Sequence, residues 1–342
     1  MMTMEHKPLS QNQSSFSSEV RPKEDWVKIK KYDSASDFLK DISYGGEMYS
    51  KMNNSMVYRG LKSGTYTLVS SVLREKTKSF NLDGTEYVED EKSPIQLSES
   101  ELSQRQTEYY NLRCFFDICD ENGLKLPEVE RIRRFLLSHQ DMNLRRLLTD
   151  DWLPYDLLEL AALAQHYGMK TRLLDWTRNI EIAIYFAINE DPVLNAKELE
   201  NEDSKYVTIW VLNTSVEHKS KSLKFIRPPY WGNPNLYAQK GLFTYWQEPG
   251  FRLSSNEIPI DEWHELLKIR VNRNPLDIRL EKELSGKRQS QTYMWKLLIP
   301  RSDRKELWDY INIKGVNAAS LFPGYAGVVR SIKESQWLNF PN

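Results

Sequence analysis

Residues 165–187 read Gln165-His166-Tyr167-Gly168-Met169-Lys170-Thr171-Arg172-Leu173-Leu174-Asp175-Trp176-Thr177-Arg178-Asn179-Ile180-Glu181-Ile182-Ala183-Ile184-Tyr185-Phe186-Ala187, and the hydrophobic period changes twice within them. Leading into the stretch, Leu157, Leu158, Leu160, Ala161, Leu163 and Ala164 predict a well-buried helix over Tyr155–Tyr167, and Gly168 suits its C-terminal cap. The period then becomes two: Thr171, Leu173, Asp175 and Thr177 share one face of a strand, with Arg172, Leu174 and Trp176 on the other. A second helix is expected from Glu181 to Asn189. Helix, strand and helix in so short a span demand a sheet on which helices pack.

Working outward, Val207–Leu212, Leu242–Tyr245, Ile278–Leu280 and Met294–Ile299 read as β-strands between polar or proline-bearing loops. Two short helices, Arg304–Ile311 and Gly315–Ala319, follow. Upstream, Trp26–Lys31 alternates like a short strand, and Ser34 or Ser36 caps a helix carrying Phe38, Leu39 and Ile42. Met56–Gly60 reads as a buried strand whose C-terminal end, at Arg59, opens onto a cleft. Lys76–Glu101 has no period and is expected to be a loop. From about 98 to 148, Tyr109, Leu112, Phe115, Phe116, Ile132, Phe135, Leu136, Leu144, Leu147 and Leu148 recur at three and four, predicting helix in several pieces. The fold class is therefore α+β. Residues 1–25, rich in Ser, Gln, Lys and Glu, read as a flexible tail. Residues 26–342 read as one domain with a helical segment at about 98–168.

The 47 basic and 48 acidic residues nearly cancel, so no global field draws the molecule to nucleic acid or membrane, and an anionic partner must meet a local patch. Cys114 and Cys119, five apart, form neither a disulfide framework nor a metal-ligand set. With no long apolar run and no apolar core at the N-terminus, the expectation is a cytoplasmic protein that neither crosses nor binds a membrane and needs no metal.

Candidate site residues follow from chemistry. Arg59, on a strand end beside Gly60, offers a planar fork that can grip phosphate oxygens with two donors, and the glycine lets a ligand approach the backbone. A strand-end arginine in an ordinary ion pair has the same sequence. Asp175 sits among Leu173, Leu174 and Trp176, where burial without a partner or a task is costly; Arg172 and Arg59 are its possible partners. His166 reads either as a general base or as a hydrogen-bonded core residue, and Trp176 and Tyr185 either as stacking surfaces or as core.

The Tyr58-Arg59-Gly60 triplet, the block Gln165-His166-x-Gly168-x-x-Thr171-Arg172-Leu173-Leu174-Asp175-Trp176-Thr177 and the run Ala183-Ile184-Tyr185-Phe186-Ala187 resemble the FRG-domain family, named for its Phe/Tyr-Arg-Gly signature. Leu68–Arg74, Gln239-Lys240-Gly241-Leu242-Phe243 and Ser320–Gly324 extend the resemblance over roughly residues 35–335. That family is in turn similar to the ADP-ribosyltransferase superfamily. The resemblance implies a split β-sheet core with an inserted or flanking helical segment. It also implies NAD+ as co-substrate and a cleft in which Arg59, the Asp175–Thr177 strand end and Gln239 take the three site positions. Tyr58, Arg59, Gly60, His166, Thr171, Arg172, Trp176 and Thr177 are the expected cofactor contacts. Where transferases of that superfamily commonly carry glutamate, this chain offers Gln239, with Glu248 as a rival. Glutamine cannot act as a strong base, so Asp175 would have to supply one.

What the resemblance further implies is a mono-ADP-ribosyltransferase of the toxin or phage-defence kind. Its acceptor would be nucleic acid, RNA before DNA, or a component of translation, and an antitoxin protein would occlude the cleft. An NAD+ glycohydrolase and a silent nucleotide-binding adaptor are the alternatives. The stretch Arg227–Tyr237, with Tyr230, Trp231 and the upstream Lys219, Lys221 and Lys224, mixes cations with aromatics as single-strand platforms do. Lys268, Arg270, Arg273, Arg279, Lys287 and Arg288 form a second cationic group; solvated, locally balanced loops are the plainer reading of both.

Overall fold

Strands of alternating pattern bury both faces when helices lie on each side of the sheet, and that is the arrangement this chain adopts. The computed structural model describes residues 26–74, 79–80, 86–87, 99–133, 148–190, 194–230, 233–254, 259–287 and 291–339. The expected tail at 1–25, and Phe135, Leu136, Leu144 and Leu147 of the expected helical segment, lie outside the described residues.

The first half runs β1 (Val27–Lys31), α1 (Ala35–Asp41), α2 (Glu47–Lys51), β2 (Met56–Leu61), the two-residue strands β3 (Ser79–Phe80) and β4 (Glu86–Tyr87), α3 (Glu101–Glu121), α4 (Leu158–His166), β5 (Leu174–Thr177) and α5 (Ile180–Ile188). The second half runs α6 (Ala196–Leu199), β6 (Tyr206–Asn213), β7 (Leu223–Ile226), α7 (Pro234–Ala238), β8 (Gly241–Trp246), α8 (Ile260–Lys268), α9 (Leu276–Leu284), β9 (Met294–Pro300), α10 (Arg304–Ile313), α11 (Ala318–Leu321) and α12 (Tyr325–Asn339). Among the described residues no helix is long and apolar enough to cross a membrane.

Seven strands form one mixed sheet in the order β1-β9-β6-β2-β5-β8-β7, parallel only between β1 and β9. On one face Tyr58, Ile209, Val211, Trp295, Leu297 and Ile299 pack against Ile182, Ala183, Tyr185 and Ala187 of α5 and Leu307, Trp308 and Ile311 of α10. On the other, Val57, Leu61, Leu174, Trp176, Trp210, Leu212 and Leu242 meet Leu276, Leu280 and Leu284 of α9. A third cluster seats α3 and α4 against the β7–β8 end through Leu112, Phe116, Leu160, Ala161, Leu236, Phe243 and Tyr245. The α+β class is as expected.

Several elements differ from expectation. Ile278–Leu280 lies inside α9, because Leu276, Leu280 and Leu284 repeat at four rather than two. The strand expected from Thr171 begins only at Leu174. Strands β3 and β4 pair within the stretch Lys76–Glu101 that was expected to be a loop, and strand β7 and helices α2, α6, α7, α8 and α12 stand where no element was expected. Ser34 does cap α1, its Oγ accepting from the Asp37 N–H at 3.1 Å.

The joint that matters is between β2 and β5. Whereas β2 pairs with β6 over six residues, its ladder with β5 is the single pair Tyr58–Thr177. The sheet is therefore weakly closed at that seam, and side chains span it.

Candidate functional site

A cleft of about 350 Å³ opens at this seam, lined by β2, β5 and β8 and by the ends of α4, α5, α7 and α11. That volume is at the low end of small-molecule pockets. Arg59 reaches across the seam: its Nη1 donates to the Asp175 carbonyl oxygen at 2.6 Å and lies 2.7 Å from the carboxylate Oδ1. The Arg59 side chain is only 10% exposed, and its Nε is buried with no hydrogen-bond partner. A buried donor without an acceptor costs about 1–3 kcal/mol, so a ligand oxygen there would be rewarded.

Asp175 lines the same cleft with its side chain 64% exposed. The surrounding walls oppose its charge, but the Arg59 guanidinium, its hydrogen bond and the more distant Arg74 outweigh them and hold the carboxyl below its ordinary range. The carboxylate is thus ionised, held from one side and open on the other. Gln165 also touches it, Nε2 standing 3.4 Å from Oδ1, while the Gln165 Oε1 accepts from the Thr171 hydroxyl.

Gln239, the C-cap of α7, lines the same cleft. Its Nε2 donates to the Leu321 carbonyl at 3.2 Å and its own carbonyl accepts from Thr177 Oγ1 at 2.7 Å. No described residue donates to its Oε1, which leaves that oxygen to a ligand hydroxyl or amine. Lys240, next in the chain, has a positive φ of 47° and turns the backbone from α7 into β8. On α4, His166 lies edge-on to Tyr167 and accepts from Asn235 Nδ2 at 3.1 Å through Nε2, so Nδ1 carries the proton of the neutral ring. Burial keeps its pKa below the ordinary value. Tyr58 is pushed up to about 12 by burial, with Glu181 adding to the shift, and stays a protonated donor. Phe186 and Phe322, ring centroids 6.4 Å apart and perpendicular, complete the apolar lining with Trp176 and Phe243.

The three residues expected at the site positions, Arg59, Asp175 and Gln239, therefore share one cleft, together with Tyr58, Gly60, His166, Trp176 and Thr177. Two expected contacts do not line it. Arg172 is buried against Glu108 at 2.8 Å and Glu101 at 2.9 Å, because a cation in the interior needs carboxylates around it; Glu108 also accepts from the Trp152 indole at 2.8 Å. Burial works against that charge, but Glu108 and Glu101 prevail and raise the Arg172 pKa. Thr171 acts one step back, through Gln165. Glu248, the rival to Gln239, is engaged elsewhere by Arg279 at 2.7 Å.

Gly60 also has a different reason from the one expected. A Cβ there would lie 1.8 Å from the Ala183 carbonyl oxygen and 2.8 Å from the Ala187 N, so the missing side chain makes room for α5 rather than for a ligand. The signature glycine and the alanines of the Ala183–Ala187 run are one packing contact.

The second cationic group is spent internally: Arg270 pairs with Glu99, Lys268 with Glu265 and Arg279 with Glu248, and Arg273 donates to the Leu73 carbonyl at 2.8 Å. Trp231 and Arg288 lie outside the described residues. Gln165, Asn235, Phe186 and Phe322 are cleft residues that sequence reasoning did not assign to the site. Gln165, Phe186 and Phe322 stand inside the family-like motifs, which was the available signal, whereas Asn235 lies four residues before Gln239 in the Arg227–Tyr237 stretch.

No curated protein matches this chain, and no solved structure does. Residues 54–195, which span β2, Arg59, the Gln165–Thr177 block and α5, match the model of the FRG domain. That match supports the resemblance to the FRG-domain family over this stretch.

Proposed function

We propose that this chain is an NAD+-dependent mono-ADP-ribosyltransferase. The observation that carries the reading is the convergence of Arg59, Asp175 and Gln239, distant in sequence, on one cleft at the seam of the sheet. Arg59, with an unsatisfied buried Nε, would take the diphosphate. Gln239 Oε1 would hold a ribose hydroxyl, and Phe186 and Phe322 would flank the nicotinamide. The glycosidic bond between C1′ and the ring nitrogen breaks, nicotinamide leaves with the electron pair, and the acceptor's oxygen or nitrogen bonds to C1′. The acceptor's proton goes to Asp175, the ionised carboxylate in the cleft. Most of the acceleration comes from positioning and fixed charge.

Nucleic acid is the acceptor the rim suits best. Tyr167 and Tyr237, 70% and 68% exposed, adjoin the cleft residues His166 and Leu236, and Tyr230 lies edge-on to Tyr237 at 6.0 Å. Exposed Lys240, next to Gln239, accompanies them, and unpaired bases stack on such rings. In this reading the chain is a growth-arresting effector, and a protein antitoxin would act by covering the mouth beside Arg59.

The test is transfer of labelled ADP-ribose from NAD+ to RNA, DNA and protein offered separately, with Arg59→Ala as the control that abolishes it. Free ADP-ribose as the sole product would make the chain a glycohydrolase. NAD+ binding without nicotinamide release would make it an adaptor, and no binding would refute the proposal.

A further inference from the structure

Arg59 and Asp175 are the only charged side chains lining the cleft among the described residues, since the His166 ring is neutral. They compensate each other in the empty site. A purely anionic ligand that captured Arg59 would take away the carboxylate's ion-pair partner in a cleft lined by Tyr58, Phe186 and Phe322. A ligand bearing an anion at one end and a cation at the other would instead exchange one ion pair for two. Aromatic walls favour the same cation through their negative faces; Phe322 already takes part in such a contact, with Arg330 4.8 Å from its ring centroid.

We infer that Asp175 is the residue that selects the oxidised dinucleotide: its carboxylate pairs with the positively charged pyridinium ring of NAD+ and discriminates against the neutral ring of NADH. The inference rests on the reading of the cleft as an NAD+ site and deepens it, for it assigns the selection to one side chain. Two features of the site make the pairing feasible. The carboxylate is open to the cleft on the side away from Arg59, and it is ionised at neutral pH. It also gives Asp175 two successive tasks. While the ring is cationic the carboxylate is its partner; once the glycosidic bond breaks and nicotinamide departs neutral, the same oxygen is released to accept the acceptor's proton. Gln165, which touches Oδ1 and is itself held by Thr171, positions the carboxylate for both.

The experiment compares a cationic and a neutral ring on the full chain, by calorimetry for NAD+ and NADH and by ligand-observed magnetic resonance for 1-methylnicotinamide and nicotinamide. The wild type is expected to prefer NAD+ over NADH, and the methylated cation over nicotinamide, by tenfold or more. Asp175→Asn, which keeps the shape and removes the charge, is expected to bring each ratio to within about twofold of unity, while Asp175→Glu retains part of it. Equal affinity of the wild type for the charged and neutral members of each pair, absence of cation binding, or a preference that survives in Asp175→Asn overturns the inference. Failure of the NAD+ reading looks different: the dinucleotides and ADP-ribose then do not bind, while preference for the methylated cation can persist and depend on Asp175. Should Asp175→Asn fail to fold, judged by its far-ultraviolet dichroism, the wild-type ratios together with Asp175→Glu still decide.

Discussion

Adding one methyl group at Gly60 tests how the signature glycine works. The new Cβ would lie 1.8 Å from the Ala183 carbonyl oxygen, and an ordinary contact begins near 3.4 Å, so strand and helix would have to part by about 1.5 Å. Both obstructing atoms, the Ala183 oxygen and the Ala187 nitrogen, are backbone, and no side chain can rotate out of the way. Overpacking of a close-packed core costs about 1–3 kcal/mol, and this geometry belongs at the upper end. Unfolding entropy of roughly 2.1 cal/mol/K per residue, over the 268 described residues, converts ~3 kcal/mol into a fall in Tm of about 5 °C. Because α5 carries Phe186 into the cleft, the same displacement should weaken ligand binding along with stability. Differential scanning calorimetry of Gly60→Ala beside Gly60→Ser measures the first effect and NAD+ titration the second. A Gly60→Ala protein melting within 1 °C of wild type with unchanged binding would refute the claim that α5 rests on this glycine.

Arg59→Ala is expected to lower kcat/KM by about 10²- to 10³-fold, the loss typical of removing one preorganised charge donor, with a near-native melt by calorimetry. Arg172→Met should cost about 3–5 kcal/mol in urea denaturation, since Glu108 loses its buried cation while Glu101 keeps only Arg105, yet leave kcat of the folded fraction within a few-fold of wild type. The depressed Asp175 pKa means the charged form is favoured in the folded chain. Its contribution to stability is therefore present above the ordinary value of 3.8 and lost as pH falls through the lowered folded value. The stability difference between wild type and Asp175→Asn should accordingly be flat from pH 8 to 5 and shrink in more acid solution, as thermal melts across pH would record. Lys240→Gly, which removes a side chain from a left-handed backbone position, should stabilise the fold by about 0.5–1 kcal/mol by the same calorimetry.

What the sequence disclosed depended on how strongly each element is patterned. Strands β2, β6, β8 and β9 are runs of apolar residues, and the helices α4 and α5 flank a period change, so both were readable. Strand β7 was hidden because Lys221 and Lys224 give Leu223–Ile226 the look of a charged loop, although Leu223 and Ile226 are its buried positions. In α9, three consecutive residues suggested a strand, and only the spacing of Leu276, Leu280 and Leu284 tells otherwise. At the site, Arg59 was legible as a strand-end cation and Asp175 as a carboxylate in apolar company, whereas Gln239 came only with the family resemblance. The separation of Asp175 from Arg172 was not legible: both sit in one motif, and only the carboxylates on α3 reveal that Arg172 belongs to the interior. Nor could sequence show that Gly60 answers to Ala183, since a glycine for a ligand and a glycine for a helix are written the same way.

The strand pairing carries a consequence for where autonomy lies. The stretch that bears the family signature contributes only β2 and β5 to the seven-stranded sheet, and they share a single pair. Their other neighbours, β6 and β8, are supplied by residues beyond 195. Excised alone, that stretch would present two naked edges and the apolar flank of α5, and would search for foreign strands instead of closing. The portion that identifies the family is a keystone, recognisable on the ground but able to stand only with the arch around it.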